Sequence, residues 1–415
     1  MKLKVGGNSR LVGKIELSSS KNSILPILAA SLLTNEPVKI NKVPGIKDVT
    51  IMIKLIKELG LSVKHKQESL IIQGELDITE PSYELVRQIR ASFLVMGPLL
   101  ARRGTVKVSL PGGCAIGNRP IDLHLKGFQS LGADISLSSG NVVAKAEYLT
   151  ANHVYLDFPS VGATENIIMA ATMAQGVTYI ENAALEPEVV DLANFINSMG
   201  GRIIGAGSNL IKIEGVKKLG ATEYTPIPDR IEAGTYMVAS AASGGDVIIK
   251  NAIPEHVKAI TAKLQESGAE VVEGEDYIKV SRNNNTVIKP VYIKTLPYPG
   301  FPTDMQAQFM AYLGCAGGSS IITESVFENR FMHVQELIRM GLGIKTEGRT
   351  AVIKGVPKIT GATVKATDLR AGAALIIAAM VADGESIIMN SEHIDRGYEN
   401  IVDKLNSLGA RISKV

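Results

Sequence analysis

The chain has 415 residues, 45% of them hydrophobic and 20% charged, with no tryptophan and a net charge of +3. That length exceeds one small core and predicts two domains, while so small and dispersed a charge, with no basic run, excludes a nucleic-acid surface. Two distant cysteines, Cys114 and Cys315, exclude a disulfide framework, and no His/Cys/carboxylate cluster has ligand spacing, so neither metal nor other cofactor is expected.

The first segment, Met1 to Ser20, reads as a strand pair with no helix before it and no apolar signal region. A helix pattern rich in small and apolar residues on nearly every face follows at Ile24 to Leu33. It recurs at Phe93 to Ala101, Ile167 to Ala174, Tyr236 to Ala242, Phe309 to Ala316 and Ala371 to Ala382. A helix apolar all round is a buried one; the last stretch is too short to span a bilayer, so a cytoplasmic protein without membrane insertion is expected. Cys315, inside such a stretch, reads as a buried core thiol. Each buried helix is followed by an alternating strand, as at Val38-Lys39-Ile40, Thr105 to Val108 and Val247 to Lys250. An amphipathic, exposed helix comes next and ends in a glycine: Gly60, Gly132, Gly200, Gly268, Gly341 and Gly409, at gaps of 72, 68, 68, 73 and 68 residues. A glycine just past a helix end is the left-handed cap that turns the chain into a strand. Six at near-constant spacing make a structural repeat.

Six units predict two domains of three, 21–228 and 1–20 plus 229–415, with the change at Tyr224-Thr225-Pro226-Ile227-Pro228-Asp229. The opening strands would supply the partner missing from the last unit. The chain would then cross between domains twice, leaving a hinge and a cleft. A solenoid is the plainer reading of a repeat, but solenoid signatures are absent.

Polar residues gather at two kinds of place. Lys21-Asn22, Arg90, Ser160 with Thr164, Asp229-Arg230, Asp304 and Asp368-Arg370 stand at the starts of the buried helices. Cys114 with Arg119, Glu186 with Glu188, Glu328 with Arg330, and Arg396 stand on loops before the exposed ones. Aspartate, serine and threonine at helix starts also read as plain N-caps. Lys21, Arg90 and Arg370 oppose the helix dipole there, and their recurrence favours a multiply anionic ligand. The loop from Leu110 to Leu123 carries one thiol and one guanidinium among three glycines, bracketed by Pro111 and Pro120. It reads either as turns alone or as a lid bearing a reactive group.

Lys21-Asn22, the Pro111-Gly112-Gly113-Cys114 loop, Phe301 to Gln306, Glu324 to Phe331, Ala366 to Ala371 and His393 to Glu399 occur in that order. With them the chain resembles, from start to finish, the UDP-N-acetylglucosamine 1-carboxyvinyltransferases. The sister branch, 5-enolpyruvylshikimate-3-phosphate synthase, shares the six-unit architecture but lacks the cysteine loop.

The resemblance implies an α/β fold of two inside-out domains, each of three pseudo-repeats with buried helices and outer sheets. It implies transfer of the enolpyruvyl group of phosphoenolpyruvate to the 3′-hydroxyl of UDP-N-acetylglucosamine, as the first committed step of peptidoglycan synthesis. It implies sensitivity to fosfomycin through Cys114. By the same resemblance Cys114 is the general acid and Asp304 the general base, with Asp368 a candidate for elimination. Lys21, Arg119 and Arg396 hold phosphoenolpyruvate, Arg370 is nearby, and Asn22 and Arg90 position the substrates. The UDP-sugar site takes Arg119, Pro120, Ile121, Asp122, Leu123, Ser160, Val161, Gly162, Asp304, Val326 and Arg330. Many members carry a lysine where this chain reads Phe158-Pro159, so a cationic nucleotide contact there is not carried over. Two other readings are a catalytically silent, regulatory UDP-sugar-binding paralogue and a structural repeat protein with an apolar concave face.

Overall fold

The computed structural model describes residues 1–110 and 121–415; the expectations for Cys114, Arg119 and Pro120 lie outside the described residues. Among the described residues the chain forms two compact units, one of 19–110 and 121–227 and the other of 1–18 and 228–415, so the second unites both ends of the chain.

Each unit has its own hydrophobic core around three inner helices. Lys21–Ala30, Met96–Arg103 and Val161–Ala171 serve the first. Arg230–Ala242, Gln306–Leu313 and Leu369–Val381 serve the second. The all-round apolar patterns account for them: every residue from Arg370 to Met380 is buried. The second inner helix of the first unit is entered through a 3-10 turn, Arg90–Val95.

The repeat has more strands than its sequence pattern announces. A leading strand runs parallel to the strand after the inner helix, and an antiparallel hairpin fills the other side. Thus His153–Tyr155, Val177–Glu181, Leu210–Glu214 and Ile203–Ile204 lie side by side, as do Tyr292–Lys294, Ser319–Thr323, Thr350–Lys354 and Gly343–Glu347. The second repeat shows three strands, and a backbone bond from the Lys107 N–H to the Thr79 carbonyl stands where the fourth would begin.

All six capping glycines have positive φ, between +91° and +113°. At each, the glycine N–H reaches back three residues and the next N–H five, as in Gly60 to Lys57 and Leu61 to Ile56. This is the Schellman closure, which a side chain would strain. One of the helices they close is less exposed than its amphipathic pattern suggests. Pro187–Ser198 is buried along most of its length through Val189, Leu192, Ala193, Phe195 and Ile196, and its Asp191 is met inside by the Ser23 and Tyr224 hydroxyls.

The opening strands correct one expectation. They do not pair with each other. Lys2–Gly6 lies between Glu385–Met389 and Arg411–Lys414 and completes the last sheet. Val12–Glu16 runs parallel to Asp246–Lys250 and begins the fourth. Only the first therefore supplies the partner that the last unit lacks. Among the described residues no helix is long and apolar enough to cross a membrane.

Candidate active site

In the C-terminal unit the Thr303–Met305 turn delivers Asp304 to the start of the helix Gln306–Leu313. Its carboxylate does not cap that helix. Arg330 donates to Oδ1 at 2.8 Å, and Arg370 donates to Oδ2 from Nη2 at 2.8 Å and from Nε at 3.2 Å. The arginine side chains are only 4% and 5% exposed, the aspartate 25%. Each guanidinium also lies 5.4 Å from an aromatic ring, Arg330 from Phe327 and Arg370 from Tyr398. Burial works against the Arg370 charge, but Asp304, then Tyr398 and Asp229, hold it above its ordinary value. The approach to this clamp is shaped by Glu324. Buried, it accepts from the Thr295 and Thr303 hydroxyls and from the Val326 and Phe327 N–H groups, folding the Val326 turn beneath Arg330.

Asp368 behaves differently. Its Oδ1 accepts from the Arg370 and Ala371 N–H groups at 2.8 and 3.1 Å, the cap of Leu369–Val381. Asp229 caps Arg230–Ala242 in the same way. For these two the plain capping role is real, whatever else Asp368 does. Arg396 ends the half-buried turn Ser391–Arg396.

In the N-terminal unit Lys21 opens its inner helix with Nζ 2.9 Å from Asp48, which is 4% exposed. The opposition of Lys21 to the helix dipole is therefore balanced within the protein, as Asp304 balances Arg370. These cations are anchored groups, not loose ones. Asn22 follows, half-buried. Beneath, Asp191 takes the Ser23 and Tyr224 hydroxyls and the Ile227 N–H; burial raises its carboxyl and those bonds oppose the rise. Glu186 and Glu188 are buried at the start of the helix Pro187–Ser198. Burial, then Glu188 and Glu186, push the Glu165 carboxyl well above the carboxylate range.

A residue that the sequence did not single out joins the other candidates. His124 lies on the helix Asp122–Ser130 that Ile121 and Leu123 begin. Its Nδ1 is 3.1 Å from the Asn166 amide, its ring meets Phe93 edge-on at 5.2 Å, and a Cβ on Gly162 would lie 3.3 Å from it. Arg90 acts on it electrostatically. Arg90 and Gly162 thus come near one imidazole on the helix that follows Ile121, and Ser160 caps Val161–Ala171 through the Ala163 N–H at 3.4 Å. A lone histidine on an amphipathic helix gives no sequence signal of this; Asp48 and Tyr398 were equally silent.

Burial first, then Arg90, bring His124 down to about 3. Burial brings His333 down to about 4, with Asp368 opposing and Arg330 adding to the fall. Their unfolded counterparts take up protons below about pH 6.5 while the folded sites stay neutral, so stability is whole above that pH and lost as pH falls toward 4 and 3. Between pH 7 and 5 each should cost its unit about 2 kcal/mol. Urea unfolding followed by circular dichroism should show His124→Gln flattening the fall; an unchanged slope would remove His124 from the account.

Residues 5–405 match the family model described as EPSP synthase (3-phosphoshikimate 1-carboxyvinyltransferase). The chain is 58% identical over 402 residues to UDP-N-acetylglucosamine 1-carboxyvinyltransferase 1 of Caldanaerobacter subterraneus subsp. tengcongensis, covering 97% of this chain and 96% of the relative. It is 55% identical to the second such enzyme of Carboxydothermus hydrogenoformans, covering 100% and 99%. Among solved structures, the enolpyruvyl transferase NikO from Streptomyces tendae superposes with a TM-score of 0.89 at 25% identity, covering 99% and 98%. The EPSP synthase from Acinetobacter baumannii shares the fold, with a TM-score of 0.75 at 16% identity and full coverage of both chains. Six inner helices under outer sheets, with a charged clamp at a helix start, are therefore those of a 1-carboxyvinyl (enolpyruvyl) transferase. Within that class the chain belongs to the UDP-N-acetylglucosamine 1-carboxyvinyltransferase family.

Proposed function

We propose that the protein moves the enolpyruvyl group of phosphoenolpyruvate to the 3′-hydroxyl of UDP-N-acetylglucosamine with release of phosphate, in the cytoplasm, as the first committed step of peptidoglycan synthesis. Full-length identity of 51–58% to relatives bearing the name of that reaction carries the reading, and the doubly held Asp304 supports it.

The chemistry is an addition followed by an elimination. The Cys114 thiol gives a proton to the methylene carbon, the sugar oxygen bonds to the adjacent carbon, and Asp304 takes the hydroxyl proton. The tetrahedral phospho-ketal then loses a methyl proton while its carbon–oxygen bond to phosphate breaks. Asp368 is the candidate for that proton. Lys21, Arg119 and Arg396 hold phosphate and carboxylate, with Arg370 close by. Asn22 and Arg90 position the substrates, while residues 119–123, Ser160 to Gly162, Val326 and Arg330 line the sugar nucleotide. Two guanidiniums on one carboxylate weaken it as a base. Proton transfer to Asp304 is accordingly coupled to carbon–oxygen bond formation, when the substrate oxygen turns acidic.

The test is phosphate release from phosphoenolpyruvate with UDP-N-acetylglucosamine, beside the same assay with shikimate 3-phosphate. Phosphate with the first acceptor alone, abolished by fosfomycin, is expected. Silence with both acceptors in a folded protein that still binds the UDP-sugar would replace this reading with a regulatory paralogue.

A further inference from the structure

Tyr398 lies two residues past Arg396 and is 2% exposed. Its ring is the surface on which the Arg370 guanidinium rests, 5.4 Å from the ring centre. Its hydroxyl is 2.9 Å from Thr235 Oγ1 on the inner helix Arg230–Ala242. From the inner helix Gln306–Leu313, the Gln308 amide nitrogen lies 3.3 Å from the Tyr398 oxygen and 3.2 Å from Thr235 Oγ1. Thr235 donates to the Ile231 carbonyl at 2.8 Å. One hydroxyl has one proton: with Thr235 donating to Ile231, Tyr398 donates to Thr235 and accepts from Gln308, and its oxygen also takes a hydrogen bond from the Arg370 side chain. The knot is dry, with Thr235 2% and Gln308 0% exposed, so a broken bond there finds no water to replace it.

All three inner helices of this unit therefore meet at Tyr398 and Arg370, and Arg370 in turn holds Asp304 with two of the three bonds that the arginines make to it. We propose that Tyr398 is a positioning residue of the reaction: its hydroxyl knot fixes the ring, the ring fixes the plane of the Arg370 guanidinium, and that plane sets the direction in which Asp304 faces the acceptor hydroxyl. The inference rests on the reaction proposed above. It gives Tyr398 no contact with substrate.

Two variants separate the parts. Tyr398→Phe keeps the ring and deletes the hydroxyl; Tyr398→Leu removes the face as well. The expected result, with UDP-N-acetylglucosamine and phosphoenolpyruvate, is a kcat about tenfold lower for the first and about a hundredfold lower for the second, as a misaligned base costs rate. KM for both substrates stays within about threefold, since the binding groups are retained. The acid limb of the kcat profile should also move to higher pH in the leucine variant, because a loosened Arg370 favours the Asp304 carboxylate less. Arg330 and Arg370 are charged groups that bond that carboxylate; Asp229 and Tyr398 act on Arg370, and Asp368 and Arg330 act on His333. A tyrosine that only filled the core would lower the unfolding temperature and leave the acid limb in place. Wild-type kcat and an unmoved acid limb in folded Tyr398→Leu overturn the proposal. Should that variant not fold, wild-type kcat in Tyr398→Phe overturns it. Absence of turnover in the unaltered protein sinks the proposed reaction and this inference together; turnover with indifferent variants sinks this inference alone.

Discussion

Alanine at position 304 is expected to abolish turnover and to destabilise the C-terminal unit by roughly 3–5 kcal/mol, because it strands two buried guanidiniums. The carboxylate is the shared partner of Arg330 and Arg370, whose side chains are 4% and 5% exposed. Neither arginine can turn to water without disturbing the ring it rests on, Phe327 or Tyr398. Asparagine at 304 keeps the shape and one accepting oxygen, so it should fold more readily while kcat falls by about 10²–10⁴, the usual worth of a positioned acid or base. The double variant Asp304→Ala, Arg370→Met separates the two effects. Removing one stranded charge should restore part of the stability with no return of activity, and coupling of that kind is what contacting residues show. Full activity in a folded Asp304→Asn protein would remove Asp304 from the chemistry. A double variant no more stable than Asp304→Ala would remove the electrostatic explanation of the loss.

Gly97→Ala should prevent the N-terminal unit from folding stably, at a cost of about 3 kcal/mol or more. On an ordinary helix the same change helps by up to about 1 kcal/mol, so the sign rests on local space. A Cβ there would lie 2.4 Å from the Asn166 carbonyl oxygen and 2.6 Å from Asn166 Oδ1. The first obstacle is backbone, on the neighbouring inner helix Val161–Ala171, and it cannot swing aside. Asn166 is also fully engaged, accepting from the Gly97 N–H at 2.7 Å and donating to the Phe93 carbonyl at 3.0 Å. Pushing the helices apart would therefore strain His124 as well. Gly372→Ala is the comparison. Its Cβ would meet Ile394 Cγ1 at 2.5 Å and Cδ1 at 3.0 Å, and these side-chain atoms can move by a change of rotamer where a backbone carbonyl cannot. Thermal unfolding by circular dichroism should place Gly97→Ala well below Gly372→Ala; equal midpoints would show that the crossing at Gly97 is more compliant than its distances imply.

The repeat was legible because a Schellman glycine is a local signal, and the inner helices because uninterrupted apolar faces have few other uses. The leading strands were not, for three-residue segments such as His153–Tyr155, Tyr292–Lys294 and Thr363–Lys365 are too short to show alternation. Nor did the opening segment reveal its two destinations, since pairing partners more than two hundred residues away leave no trace in a short window. In the site, Asp304, Arg330 and Arg370 stood out by type and place. Their mutual grip did not, because three loops far apart in sequence create it. Asp48 looks like any acid in a first helical turn, and only its 2.9 Å approach to Lys21 distinguishes it.

The placement of Lys2–Gly6 and Val12–Glu16 sets an order of assembly during synthesis. The segment 19–227 emerges as one piece and can close its sheets while the rest is still being made. The first strand must wait for Arg411–Lys414, and the second for Asp246–Lys250. At ribosomal speeds of about 5–20 residues per second the first wait lasts some tens of seconds. The second strand waits a shorter time, and until its partner is made each lies open to foreign edges, a recognised route to aggregation. Their own composition answers it: Lys2, Lys4, Lys14 and Glu16 put charges along both strands. A nascent chain stalled near residue 230 should therefore hold a folded first unit preceded by a protease-sensitive leader, and that leader should become protected only once the last sheet has been made.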